Sequence, residues 1–126
     1  MATVPIPELD VTITPTGKVA AGASSIHGRG VLAAAPIKRG EIVECCPVLR
    51  IPAAQRDLID ATLIFEYYFD WDGDAGLALG YGSLYNHAAT PNAEYLKDFA
   101  SDTVSIRALV DIAVGEEITF CYSGPG

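Results

Sequence analysis

A mainly β fold of short strands with little helix is predicted, on three observations. Thr103–Val110 alternates cleanly, apolar at its even positions, as a strand with one buried face does. Ile64–Trp71 carries five aromatics in eight residues, a composition with strong strand preference. Glycine- and proline-containing turn signals recur between short apolar runs, leaving a single stretch with helical character.

Taken in order, Met1–Gly17 contains Pro5, Pro7 and Pro15 around the alternating segment Val11-Thr12-Ile13-Thr14, and predicts an extended arm that adds one edge strand. A short apolar run follows from Val19. Gly28 and Gly30 then precede a second apolar run; such a pair lets the backbone turn sharply or approach a ligand. Pro36–Gly40 is a turn into the strand Glu41–Cys46, which Val48–Ile51 continues after Pro47. Ala53–Leu63 is the one helix candidate: good helix formers follow Pro52, and Leu58, Ile59 and Leu63 share one face.

Asp70-Trp71-Asp72-Gly73-Asp74 has some of the spacing of a calcium loop, but its glycine comes too early and no glutamate closes it. Asp72-Gly73 is the dipeptide of a hairpin turn, which is the prediction here. Ala93–Phe99 pairs with Thr103–Val110, and Val114–Glu117 turns into a last strand, Ile118–Tyr122. The chain has 126 residues, enough for one domain and its core. Sixteen acidic against eight basic residues leave a net charge of −8, which disfavours direct nucleic-acid binding and attracts basic partners. Cys45, Cys46 and Cys121 lack zinc or disulfide spacing and read as small buried hydrophobes in a reducing cytosol. No apolar run is long enough to span a bilayer, so no membrane partner and a cytoplasmic location are expected, or a nuclear one in a eukaryote.

The densest cluster of polar and backbone-shaping residues is Gly80–Asn92, with Tyr81, Tyr85, Asn86, His87, Pro91 and Asn92. Pro91 and the residue before it restrict the backbone, and the amides of Asn86 and Asn92 both donate and accept. Taken singly, His27 and His87 read as turn histidines, Glu116 and Glu117 as turn and surface charges, and Tyr68 as facing away from whatever Tyr67 and Phe69 line.

Together these segments resemble the SET-domain protein lysine methyltransferases. His27-Gly28-Arg29-Gly30-Val31 is similar to that family's G-x-G segment, Asn86-His87-Ala88-Ala89-Thr90-Pro91-Asn92 to its N-H-x-x-x-P-N signature, and Gly115–Tyr122 to its G-E-E-[IL]-T-x-x-Y ending. Ala88 departs from the serine common after Asn-His. The resemblance implies an arm over 1–17 and a SET domain over 18–126, built of small curved sheets in a β-clip-like arrangement, with a knot-like C-terminal threading. It implies S-adenosylmethionine as cofactor, held by Gly28, Arg29, Gly30, Tyr85, Asn86 and His87, and a lysine channel on the opposite face lined by Tyr67, Phe69, Tyr81, Phe120 and Tyr122. Tyr122 matches the catalytic tyrosine, Phe120 the position that governs how many methyls are added, and a phenylalanine there implies di- or trimethylation. No metal is expected, because methyl transfer from a sulfonium to an amine mainly requires alignment at about 3 to 3.5 Å and exclusion of water. The implied substrate is a lysine of a basic protein, such as a histone, a histone-like or a ribosomal protein. The segment that closes the channel in many relatives has no counterpart here, so dimerisation, the arm or the substrate must cover it. The competing readings are a SET-like module that binds peptide or cofactor without turnover, and an unrelated acidic β protein.

Overall fold

The computed structural model describes residue 13 and residues 15–122. Among the described residues nine strands form two sheets: β1 (Val19–Ala23), β2 (Arg29–Ala33), β3 (Ile42–Ile51), β4 (Phe69–Trp71), β5 (Asp74–Ala78), β6 (Asn86–His87), β7 (Ala93–Asp98), β8 (Thr103–Ala108) and β9 (Glu117–Phe120). One sheet runs β1-β2-β9-β6 and the other β4-β5-β3-β8-β7. The mainly β architecture is thus as anticipated. The edge strand expected within Val11–Thr14 lies largely outside the described residues.

The large sheet follows its side-chain pattern. β8 buries Val104, Ile106 and Ala108, the even positions, and pairs antiparallel with β7 from Ala93↔Ala108 to Asp98↔Thr103. β3 runs unbroken through Pro47, which pairs with Thr103 where the ladder to β5 has yet to begin at Val48↔Ala78. Pro47 O accepts Leu79 N–H at 2.9 Å, and the reciprocal bond its imide nitrogen cannot make falls just past the end of the β5 ladder. Asp72 and Gly73 both have positive φ, 53° and 92°, and turn β4 into β5 as the Asp-Gly signal predicts. Trp71, fully buried, fills the space under that hairpin, and its indole N–H donates to Asp102 Oδ1 at 2.8 Å. Burial of side chains such as Ile106, Ile118 and Val31 between the sheets contributes about 1.5 to 3 kcal/mol each. Cys46 belongs to that core, while Cys45 and Cys121 are half-buried, and none forms a disulfide.

Two elements differ from expectation. The helix predicted over Ala53–Leu63 is broken into a 3₁₀ turn (Ala53–Gln55), a short helix α1 (Arg56–Asp60) and a second 3₁₀ turn (Leu63–Glu66). Thr62 breaks it: its backbone is extended, and its hydroxyl donates to Ile59 O at 2.6 Å and accepts Ile64 N–H at 3.2 Å, ending one turn and starting the next. The fragments are too short to lay an apolar stripe on the core, so Leu58 and Leu63 stay exposed, at 73% and 69%. The strand predicted over Ile64–Trp71 begins only at Phe69, because Ile64–Glu66 are taken up in that second turn.

Candidate active site

The small sheet builds the site by an insertion. β9 enters between β2 and β6, antiparallel to the first (Val31↔Ile118) and parallel to the second (Asn86↔Thr119, His87↔Phe120). Asn92 locks the crossing: its Nδ2–H donates to Glu117 O at 2.9 Å and its Oδ1 accepts Thr119 N–H at 2.8 Å. Pro91 restricts the approach to Asn92, so this amide reaches across as if it were one more strand. Asn86, 8% exposed, directs Nδ2 to Glu117 Oε2 at 2.9 Å, Ser24 Oγ and His27 O at 3.1 Å, and Arg29 O at 3.2 Å.

The turn joining β1 to β2 faces this amide. Ser24 Oγ accepts Ile26 N–H and His27 N–H, Ser24 N–H donates to Gly28 O at 2.8 Å, and Gly28 takes a positive φ of 51°. Gly30 is needed for space: a Cβ there would lie 2.5 Å from Glu117 Oε2 and 3.0 Å from Asn86 Nδ2.

Tyr122 follows β9 and is anchored at each of its polar groups. Its N–H donates to His87 Nδ1 at 3.0 Å, its carbonyl accepts the Tyr95 hydroxyl at 3.0 Å, and its own hydroxyl donates to Tyr85 O at 2.7 Å. Phe120, 2% exposed, stacks on Tyr85 at 5.4 Å and meets Tyr95 edge-on at 5.0 Å. Burial, then the neighbouring Tyr67, push the Tyr122 hydroxyl above its ordinary 10.0, so it stays protonated at neutral pH. Tyr85 is pushed much further up by burial and by Glu44, whose carboxylate accepts its hydroxyl at 2.7 Å. Glu44 also accepts Tyr81 N–H at 3.0 Å, which fixes the Gly80–Tyr85 loop to β3.

Two cavities meet here. A small one of about 140 Å³ is walled by Tyr67, Tyr68, Phe69, Tyr85, Phe120 and Tyr122. A larger one of about 700 Å³ is bordered by Ile26–Arg29 and by Ser83–His87. Glu66, Tyr67, Ser83, Tyr85 and Tyr122 border both. Tyr67, Phe69, Phe120 and Tyr122 therefore line one cavity, and Gly28, Arg29, Tyr85, Asn86 and His87 share the larger space. Gly30 sits behind Asn86. Tyr81 is set apart, in a third cavity beside Ile13, Pro15 and Glu44.

Tyr68 departs from expectation. It contributes to the same small cavity as Tyr67 and Phe69, because strand alternation does not reach back before Phe69. Its hydroxyl donates to Asp60 Oδ1 at 2.6 Å and accepts Arg56 Nη2–H at 3.2 Å, tying α1 to the cavity wall. Glu66, Ser83, Ser24 and Glu44 were not singled out by any local pattern. Glu117 is half-buried inside the crossing where a surface charge was expected.

The SET domain model matches residues 28–123, which include the lining of the small cavity and all of the larger one's except Ile26 and His27. The chain belongs to the SET-domain family. This SET domain is 36% identical over 97 residues to a Schizosaccharomyces pombe histone-lysine N-methyltransferase specific for H3 lysine-37, a match covering 75% of this chain and 66% of that relative. Among solved structures it is similar to a Plasmodium falciparum protein assigned as a histone methyltransferase, with a TM-score of 0.67, 32% identity, and coverage of 89% of this chain and 97% of the other. It also shares the fold of the Neurospora SET-domain histone lysine methyltransferase DIM-5, with a TM-score of 0.66 at 22% identity, over 86% of this chain and 53% of that one.

Proposed function

We propose that this SET domain is a protein-lysine N-methyltransferase that uses S-adenosylmethionine and acts on a basic protein, with a histone H3 tail as the first candidate. The observation that carries this reading is the junction of the two cavities at Tyr122. The larger cavity has the size of a small-molecule site, with the amide of Asn86 at one part of its wall and Ile26, Leu84 and aromatic rings at others. That mix of polar and aromatic lining suits a molecule with a zwitterionic end and an aromatic base. Asn86, His87, Gly28 and Arg29 are the residues to hold it, with Gly30 behind Asn86. When bound, S-adenosylmethionine supplies an electrophilic methyl group on a sulfonium.

The protein's own residues do the rest. Tyr67, Phe69, Tyr85 and Phe120 give the small cavity aromatic walls, which suit a cationic side chain on entry and exclude water once it is in. A lysine amine, ordinarily near 10.4, must lose its proton to attack, and desolvation in such a channel lowers its pKa. Tyr122 stays protonated and is not the base; its role is to orient the amine, while its oxygen lone pairs favour the positive methyl group in the transition state. The histone specificity of the fission-yeast relative and the net charge of −8 both support a basic substrate. We place the enzyme where such substrates are, in the cytoplasm or on chromatin.

Incubation with labelled S-adenosylmethionine and histone H3 or a basic protein mixture, followed by mass spectrometry, tests this. The expected product is di- or trimethyllysine. Cofactor binding without transfer would instead mark a non-catalytic module, and absence of cofactor binding would sink the reading. Phe120→Tyr should shift the product toward monomethyllysine, because the added hydroxyl enters the small cavity beside Tyr67 and Tyr122 and narrows the room for a methylated amine. An unchanged methyl count would remove Phe120 from that role.

A further inference from the structure

Glu117 opens β9 in a Gly-Glu-Glu turn, yet both its oxygens are engaged inside the fold. Oε1 accepts the Ser24 hydroxyl at 2.6 Å, and Oε2 accepts Asn86 Nδ2–H at 2.9 Å. From Ser24 the chain of bonds continues into the turn before β2, through the Ile26 and His27 N–H groups at 2.9 and 3.1 Å. One branch therefore ends on Ile26 and His27 and the other on Asn86, and all of these border the larger cavity. Glu117 does not border it.

Asn86 shows why the carboxylate matters. Its Nδ2 carries two protons but has four acceptors within 3.2 Å, of which Glu117 is the charged one and the nearest. Bonds to an ionised acceptor are roughly twice as strong as neutral ones. Rotating the amide by half a turn would set Oδ1 against Glu117 and replace attraction with repulsion. The carboxylate thus decides which way the amide points, and the absence of a Cβ at Gly30 leaves room for it.

We propose that Glu117 is a positioning residue for the methyl donor: through Asn86 and Ser24 it fixes the amide and the turn that border the donor cavity, and so sets donor affinity without touching the donor. The inference rests on the larger cavity taking S-adenosylmethionine. Titration calorimetry of the full chain with S-adenosylmethionine and with S-adenosylhomocysteine, without peptide, reads it directly. Glu117→Ala should weaken both ligands about 10-fold or more, as expected for loss of a charge-assisted bond. Glu117→Gln, which preserves shape and one acceptor, should fall between it and the unmodified chain, while kcat at saturating donor stays within about 3-fold. Ser24→Ala should weaken binding less, and should add little on the Glu117→Ala background, because the two act in one chain. Asp102→Asn, which disturbs the distant Arg50 and Trp71 contacts, serves as a stability control. If both Glu117 variants bind donor like the unmodified chain while losing thermal stability as Asp102→Asn does, Glu117 is merely structural and the inference is overturned. If the unmodified chain itself binds neither ligand, the methyltransferase reading falls and takes this inference with it.

Discussion

Tyr122→Phe is expected to lower methyl transfer by about 100-fold or more, the scale seen when one donor is removed from a transition-state pocket, while donor affinity stays within about 3-fold. The substitution removes one atom. The ring keeps its contacts with His87 at 5.1 Å and Phe120 at 5.8 Å, and the backbone keeps its bonds to His87 and Tyr95. The lost bond to Tyr85 O should cost only about 0.5 to 1.5 kcal/mol of stability. A large drop in kcat with an unchanged donor Kd, measured by radiolabel transfer and calorimetry, therefore separates chemistry from folding. Transfer at the original rate would remove Tyr122 from the reaction.

Gly30→Ala is expected to act in the opposite sense, on affinity first. The new methyl group would sit 2.5 Å from Glu117 Oε2, closer than unbonded atoms tolerate. Glu117 cannot swing aside freely, because Ser24 and Asn86 hold its two oxygens. Relief means breaking the Asn86 bond or moving β9 off β2. Either path should lower donor affinity about 10-fold or more and stability by about 1 to 3 kcal/mol, the scale of overpacking and of a disturbed buried polar network. Calorimetry and thermal unfolding read the two effects separately, and retained affinity would show that the crossing has slack.

How far the sequence could be read follows from the range of the interactions involved. The β7–β8 pair and the Asp72-Gly73 hairpin were legible because their determinants, side-chain alternation and a turn dipeptide, are local. Tyr67, Phe69, Phe120 and Tyr122 around the small cavity and Gly28, Arg29, Tyr85, Asn86 and His87 around the larger one were legible through resemblance to the SET family; no periodicity places Asn86 beside Gly30. What escaped was set by context. Thr62 looks like one more helix residue until its hydroxyl bonds Ile59 O and Ile64 N–H and splits the helix. Tyr68 would face away from Tyr67 only if the strand reached it. Glu117 looks like a surface charge because its partner Ser24 is 93 residues away.

That last separation also bears on how the molecule assembles. β9 makes its ladders with β2 near the start of the domain and with β6 in its middle, so the small sheet is complete only when segments far apart in sequence have met. Pairings between such distant segments carry a large loop-closure entropy and belong to slow-folding topologies. Because Tyr122 follows this strand, the wall shared by the two cavities depends on these long-range pairings. The candidate site is consequently a product of the whole chain's pairing: with β7 and β8 paired but β9 undocked, Phe120 and Tyr122 would be missing from the small cavity.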